Sequence, residues 1–256
     1  DYKAEGSYKQ NYSQLFLNFQ NSGNNKVAAG IGSAFEYVHY SPAIRSAAEI
    51  KGNFTNFKSY VYMKYNSQNQ IFYPTRGLKM NLELAHVYDQ RPRITQLQNG
   101  QPVNNTLNFG NYSRVYFDGS LFTALGKKFN FFTGLQAGIN FTDQQNELND
   151  FLIGGINGSF RNQIKFAGLQ EATVNSSSAG VLQLGLRYNP INNVYLIGRV
   201  NGLVKDFIGN SASLSGLSGY ALTFAYRTPI GPLELSAMYS DQSRRLQSYV
   251  LFGITF

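Results

Sequence analysis

The sequence predicts an all-β protein, a transmembrane antiparallel β-barrel, and three observations support this prediction. Apolar residues recur at every second position along most of the chain, the period of a strand with one apolar face. The sequence contains no run of about 18 consecutive apolar residues, the length that a membrane-spanning helix needs. The chain has 18 Tyr and 20 Phe but only 14% charged residues. Strands that cross a membrane must close into a barrel, because unpaired backbone groups are costly in hydrocarbon.

The alternation assigns each strand-like segment a lipid face and a water face. Residues assigned to the lipid face are Leu78, Met80, Leu82, Leu84 and Tyr88, then Phe131, Leu135, Ile139 and Phe141, then Leu182, Leu184, Leu186 and Tyr188, then Tyr220, Leu222, Phe224 and Tyr226, then Leu233, Leu235 and Tyr239. The residues between them are small or polar, as a wet lumen would require. A soluble β-sandwich has the same period with the faces reversed and remains an alternative. Segments of about ten residues with Tyr near their ends favour the membrane.

Short and long connections alternate along the chain. The predicted short turns are 21–25, 126–128, 190–193 and 230–232, and the predicted long connections are 90–111, 143–178 and 206–219. They are rich in Gly, Pro, Asn and other polar residues. Short turns at one rim and long loops at the other are typical of outer-membrane barrels. We therefore expect about twelve strands in one barrel domain over residues 1–256.

The sequence predicts no catalytic residue, no cofactor site and no metal site. The chain has no Cys, and its two His residues, His39 and His86, lack a spaced partner for metal binding. The segment 209–213 (GNSAS) lacks the second glycine of a nucleophile elbow. The net charge is +8, but the 22 Lys and Arg are scattered singly. This pattern favours an anionic membrane surface over nucleic acid.

Several charged residues fall on the predicted water face. They are Arg187, Arg199 and Arg227, together with Glu83, Asp118 and Glu234. They could line a conducting lumen or form an internal lattice of salt bridges, and we favour the lattice.

Four segments resemble the BamA superfamily, the outer-membrane assembly and two-partner secretion barrels. Residues 65–84 (YNSQNQIFYPTRGLKMNLEL) resemble the family's Phe-Pro-Thr-x-Gly turn and the strand after it. Two long strands, the loop 151–169 and five closing strands then follow in the family's order. Residues 228–233 (TPIGPL) resemble its penultimate hairpin. The C-terminal assembly signal of the family is matched by Val250, Phe252, Ile254 and Phe256.

The resemblance covers residues 60–256 and implies a barrel in the cell outer membrane. Family barrels have about sixteen strands, so we expect this chain to be an N-terminally truncated piece that holds about twelve. The resemblance also implies partners: outer-membrane lipid and lipopolysaccharide, the barrel assembly machinery during biogenesis, and other outer-membrane or periplasmic proteins. No nucleic acid is expected.

The resemblance further implies that the long loop within 143–178 folds into the barrel lumen. The family's loop carries a Val-Arg-Gly-Phe tip. The matching loop residues are Phe151, Gly154, Gly155, Arg161, Phe166 and Gly168. Arg161 falls one position from the tip arginine, and Asn162 replaces the tip glycine. We expect Arg199 and Asn201 to be the partners of the loop on the barrel wall, with Asn201 at the usual place of an acid.

Three functions fit these features. The barrel could insert or translocate proteins at the outer membrane. It could instead anchor a patatin-like phospholipase, since Phe151-x-x-Gly154-Gly155 and the segment 164–168 (IKFAG) look closest to the barrels fused to such enzymes. The phospholipase's own catalytic residues are not in this chain, so we expect the chain itself not to be an enzyme. The third function is that of a structural or pore subunit of an outer-membrane complex.

Overall fold

The structure, a computed structural model, describes residues 8–42, 48–98, 101–103, 109–142, 147–158, 162–208 and 215–253. The strands are β1 Tyr8–Asn24, β2 Val27–Pro42, β3 Ala48–Asn66, β4 Gly77–Gln98, β5 Gln101–Val103, β6 Tyr112–Ala124, β7 Phe129–Phe141, β8 Phe151–Ile153, β9 Gln163–Ile164, β10 Val174–Ser176, β11 Ser178–Tyr188, β12 Val194–Lys205, β13 Ser215–Thr228, β14 Gly231–Ser240 and β15 Gln247–Phe252. One short 3-10 helix covers Glu147–Asn149. In the part of the chain described, no helix is long and apolar enough to cross a membrane.

One large antiparallel sheet contains 12 of these strands. Its order is β1-β2-β3-β4-β6-β7-β11-β12-β13-β14-β15, with β5 paired to β4. The strands β10, β8 and β9 form a separate sheet of three. Within the described residues β1 and β15 each pair with one neighbour, so the large sheet is open at these two edges. The predicted all-β fold of about twelve strands is confirmed.

The two faces of the large sheet follow the predicted alternation. In β13 the buried residues Ala221 and Ala225 alternate with Leu222 and Phe224, which are 62% and 46% exposed. We call the side with the buried positions the inner face and the opposite side the outer face. Exposed large apolar side chains along the outer face match lipid rather than water. The covered inner face carries the polar groups, so the soluble sandwich is excluded for this sheet.

Three predicted boundaries are wrong. The turn predicted at 21–25 is mostly strand: β1 runs to Asn24, whose Oδ1 accepts hydrogen bonds from the backbone N of Lys26 (2.8 Å) and Val27 (2.9 Å) and so closes a tight turn. Residues 90–98 were assigned to a loop but continue β4, because pairing with β3 resumes after an irregularity near Thr55. The connection predicted at 206–219 ends earlier, since β13 begins at Ser215.

Candidate functional site

A long segment between β7 and β11 packs on the inner face of the sheet. Its described residues are 147–158 and 162–177, and they include the three-stranded sheet. Its large side chains Phe151, Ile153, Ile164, Phe166 and Leu169 are fully buried. They form one apolar cluster with Ala179, Val181 and Leu203 of the large sheet. We call this segment the inner loop.

Glycines of the sheet make room for the inner loop. A Cβ on Gly138 would lie 2.4 Å from the Phe151 ring, so only glycine leaves space for that ring. A Cβ on Gly219 would lie 2.0 Å from the carbonyl oxygen of Ala167. The inner-face glycines and the buried aromatics of the loop are therefore complementary in shape.

Arg114 of β6 connects the sheet to the inner loop at the start of the loop and near its tip. Its Nε donates to Asn140 Oδ1 (2.8 Å) and its Nη2 to the carbonyl of Asn149 (2.6 Å), at the start of the loop. Its Nη1 donates to Asn162 Oδ1, near the loop tip. The guanidinium also lies 4.9 Å from the centroid of the Phe151 ring. A buried arginine with this many acceptors fixes geometry, because its fork of donors is planar and rigid.

Further polar contacts hold the rest of the loop. Gln136 Oε1 accepts from the backbone N of Lys165 at 2.6 Å. Lys165 Nζ lies 3.5 Å from Asp118 Oδ2. Asn201 Nδ2 donates to the carbonyl of Ala167 at 3.3 Å, so this predicted wall position does contact the loop. The carbonyl of Gly168 accepts from Ser243 Oγ at 3.3 Å.

Arg199, the other predicted wall partner, has different neighbours. Its Nη1 donates to Thr223 Oγ1 at 2.7 Å, and its guanidinium lies 5.9 Å from the Phe132 ring centroid. Phe132 belongs to an apolar cluster with Tyr73, from the turn between β3 and β4. Arg199 therefore lies beside this turn, and Arg114 takes the position by the loop that was expected of Arg199.

The turn at residues 67–76 is a second segment on the inner face, and we call it the inner turn. Tyr73 OH donates to Glu234 Oε1 of β14 at 2.7 Å. Arg187 Nη2 donates to the carbonyl of Pro74 and, at 2.7 Å, to Asn130 Oδ1. Asn130 Nδ2 donates to the carbonyl of Thr75 at 3.0 Å. The motif that carries the family resemblance is thus held between β7, β11 and β14.

Burial raises the pKa of the Tyr73 phenol well above its ordinary value, and the neighbouring Glu234 carboxylate raises it further. Because the phenol donates its proton to that carboxylate, the neutral tyrosine keeps the contact. A cavity of about 310 Å³ separates the inner turn from the inner loop. Its lining includes Tyr73 and Pro74 of the inner turn and Ile156 and Lys165 of the inner loop.

Among the described residues, the three acids of the predicted lattice contact two lysines and a tyrosine. Lys58 lies 3.8 Å from Glu36 and 3.4 Å from Glu83, so a lysine bridges these two acids. Asp118 pairs with Lys165 and Glu234 accepts from Tyr73. Arg227 shares the inner parity but lies exposed at the rim. Alternation predicted the face on which these residues lie but not their partners, which come from an adjacent strand, from the inner loop and from the inner turn.

Some of the remaining predicted residues lie in described parts of the structure, and the others lie outside them. Gly154, Gly155 and Gly168 are in the inner loop with φ of 131°, 78° and 111°, a region that favours glycine. Val250 and Phe252 point outward from β15 and are 66% and 61% exposed. Arg161, Ile254 and Phe256 lie outside the described residues. Among the residues that are described, no group of acids and histidines could hold a metal ion.

These features define a class: an outer-membrane β-barrel with a loop packed on its inner face. The sequence profile of the OMP85 superfamily matches residues 4–256, and the chain belongs to that superfamily. It is accordingly an outer-membrane protein. No protein with a curated annotation matches the chain in sequence.

Two solved structures resemble the fold. CdiB from Escherichia coli matches with a TM-score of 0.59 at 10% identity over 95% of this chain. CdiB from Acinetobacter baumannii matches with a TM-score of 0.47 at 11% identity, also over 95% of this chain. The present chain spans 43% and 47% of the length of those two chains.

Proposed function

We propose that this chain is the C-terminal barrel portion of an outer-membrane protein that inserts or translocates other proteins. Barrels of the OMP85 superfamily sit in the outer membrane and work with partner proteins. The observation that carries the proposal is the inner loop, which packs on the inner face and is held at its start and near its tip by Arg114. A segment packed on the inner face narrows the space for conduction, which disfavours a wide passive pore.

The inner loop has the two properties that a displaceable plug needs. Its apolar cluster and its fit to Gly138 and Gly219 keep it in place at rest. Its polar contacts to Arg114, Gln136 and Asn201 lie on a face that water can solvate once the loop moves. The hydrogen bonds of Gln136 and Asn201 contribute about 1 kcal/mol each and those of the charged Arg114 about 1.5–3 kcal/mol each, so a passing polypeptide that offers equivalent groups could replace them.

The test is made in cells that produce the full-length protein. One strain lacks residues 151–169 and a second lacks the whole gene, and quantitative mass spectrometry compares their outer-membrane and exported proteins with those of the parent. We expect the same small set of proteins to fall in both strains. Unchanged levels of every exported and outer-membrane protein would contradict insertion and translocation.

A second function, anchoring a patatin-like phospholipase, is favoured by one observation. The inner loop is tightly packed, with Phe151 and Phe166 fully buried, as a permanent plug would be. Intact mass and N-terminal sequencing of the native protein would separate the two functions. A Ser-Asp phospholipase domain before Asp1 would favour the anchor, and periplasmic repeats there would favour assembly or secretion. In neither case would this chain carry an enzymatic step itself.

The expected partners belong to the same proposal. They are outer-membrane lipid and lipopolysaccharide, the barrel assembly machinery during biogenesis, and client proteins of the periplasm or outer membrane.

A further inference from the structure

The outer face of β2, β3 and β4 carries a row of aromatic side chains. Phe35 pairs directly with Phe57, and Phe57 with Tyr88, across the three strands. Their ring centroids are 5.3 Å and 6.1 Å apart. We call these three residues the aromatic row. Aromatic residues collect where the hydrocarbon of a membrane meets its headgroups.

A row of small polar residues lies beside the aromatic row, one step toward the short-turn rim. Ser33 pairs with Ser59, Ser59 with His86, and His86 with Ser113. His86 Nδ1 and Ser113 Oγ are hydrogen-bonded at 3.1 Å. We call these four residues the hydroxyl row. The three serine side chains of this row are shorter than the side chains of the rows on either side, so the outer face is indented here.

The indentation is a groove of about 670 Å³ with apolar walls. The groove is lined by Leu17, Ile31, Val61, Leu84, Val115 and Phe141, in addition to the hydroxyl row. A polar row inside an apolar groove is unexpected on a face that only contacts acyl chains, because hydroxyl groups in hydrocarbon need partners. The groove suits a molecule with acyl chains and with polar linking groups close to them.

Cationic side chains lie on the other side of the aromatic row. Arg91 pairs with Thr55, Arg93 with Asn53, and Thr95 with Lys51, so the three cations share the outer face. All three are exposed. Residues two apart on one strand face are about 7 Å apart, and diagonal neighbours on adjacent strands about 7–8 Å. We call Lys51, Arg91 and Arg93 the cation row.

Acidic residues at these strand ends do not remove the positive charge. Asp89 accepts bonds from Arg91 Nε (3.0 Å) and Nη2 (2.8 Å), which sets the direction of the guanidinium. In the sequence of these strand ends, two acids, Glu49 and Asp89, stand against three cations, so an excess of positive charge is left that an anion can neutralise.

The cation row lies at the level of the outer headgroups. The apolar positions of β4 run from Leu78 to Tyr88, and ten residues of strand extend about 33 Å. At a tilt of about 40° this length covers about 25 Å, the height of the apolar band of an outer-membrane barrel. Arg91 and Arg93 follow Tyr88 at the rim that carries the long loops, the extracellular rim of such barrels.

We propose that the cation row, the aromatic row and the hydroxyl-lined groove together form a binding site for a phosphorylated, acylated lipid of the outer leaflet. The phosphates bind to Lys51, Arg91 and Arg93. The aromatic row contacts the sugar or glycerol body, the hydroxyl row binds the ester or amide groups, and an acyl chain fills the groove. This site faces the membrane, so it does not depend on the function proposed for the inner face.

The test measures binding of lipid A to the full-length protein in detergent by native mass spectrometry. The triple variant K51Q/R91Q/R93Q should bind lipid A about a hundredfold more weakly, since each cation near an anionic surface contributes about fivefold. A second variant, S59F, fills the groove and keeps every charge, and it should also weaken binding. Dephosphorylated lipid A should bind to the parent protein as weakly as lipid A binds to the triple variant.

The matched control removes three exposed cations at the opposite rim, in the variant K127Q/K128Q/R227Q. It should bind lipid A as the parent does. A thermal melting scan of both triple variants checks that each is folded. Equal weakening in both triple variants would show a charge effect without a site and would overturn the proposal. If inorganic phosphate alone displaces lipid A at millimolar concentration, the site binds free phosphate and the lipid assignment is wrong.

Discussion

Arg114 and Arg199 point to the same face of the sheet, yet only Arg114 holds the inner loop. Arg114 is on β6, next to β7, from which the loop departs, and it reaches both Asn149 and Asn162. Arg199 is on β12 and lies beside the inner turn. At this contact the arginine belongs to the sheet, and the side-chain amide of Asn162 that accepts its hydrogen bond belongs to the inner loop. The alternation along β6 indicates that the Arg114 side chain faces inward. It does not indicate that the side chain contacts Asn162, which is 48 residues away in sequence.

Replacing Arg114 by Ala should loosen the inner loop and leave the large sheet folded. The change removes the guanidinium that donates to Asn149 and Asn162, and the loss of hydrogen bonds from a charged group costs about 1.5–3 kcal/mol. Hydrogen exchange of residues 147–169 should rise by about one to two orders of magnitude, while β13 and β14 stay protected. R93A, which removes an exposed arginine at the outer rim, is the control. Equal exchange in R114A and the parent would show that Arg114 does not hold the loop.

Tyr73 makes the stability of the barrel depend on pH in the alkaline range. Its pKa is raised above the ordinary 10.0, so the folded state holds the proton more tightly than the unfolded state does. The stabilisation is complete below pH about 10 and is lost as the pH rises further. Y73F should be less stable than the parent at pH 8 by about 1 kcal/mol, through loss of the bond to Glu234.

The difference between Y73F and the parent should shrink above pH 10 and then reverse, because Phe does not titrate. Urea unfolding in lipid vesicles at pH 8 and pH 10.5 measures it, with Y65F as the control for a tyrosine of the neighbouring strand. A difference that stays constant with pH would contradict the burial of Tyr73.

At the level of elements, the two-residue period was enough to predict strands and facing but not their ends. The outward positions of β4, β7, β11, β13 and β14 follow from sequence alone. The extension of β4 through 90–98 did not, because it depends on pairing with β3 across an irregularity that has no local sequence signal. The inner loop was suggested by family resemblance, since the pairs that hold it join residues far apart in sequence.

The packing of the inner loop against β13 can be tested by a substitution that adds one methyl group to the strand. G219A would place a Cβ 2.0 Å from the Ala167 carbonyl oxygen, so the loop must shift. G216A, on the same strand, has its nearest contact at 3.7 Å and is the matched control. We expect overpacking in G219A to cost about 1–3 kcal/mol. Limited proteolysis should cut the loop of G219A faster than that of G216A, and equal rates would contradict the packing.

On the scale of the whole molecule, the prediction to test is that the outer face of the sheet contacts lipid. Leu235 lies in the middle of β14, is 48% exposed and pairs with Val250 of β15. In water an exposed leucine can be replaced by arginine with a change of about 0.5 kcal/mol or less. In a bilayer the same change near the midplane costs about 2–4 kcal/mol, because the charge must leave water.

L235R in the full-length protein should therefore be destabilised by about 2–4 kcal/mol when it is unfolded by urea from lipid vesicles. Leu246, which is 78% exposed in the connection between β14 and β15, lies outside the strands and gives the control L246R. We expect L246R to differ from the parent by about 0.5 kcal/mol or less, since its side chain stays in water. If L235R unfolds at the same urea concentration as L246R, β14 does not face hydrocarbon. A large cost in L235R alone would mean that the exposed apolar face is held against lipid.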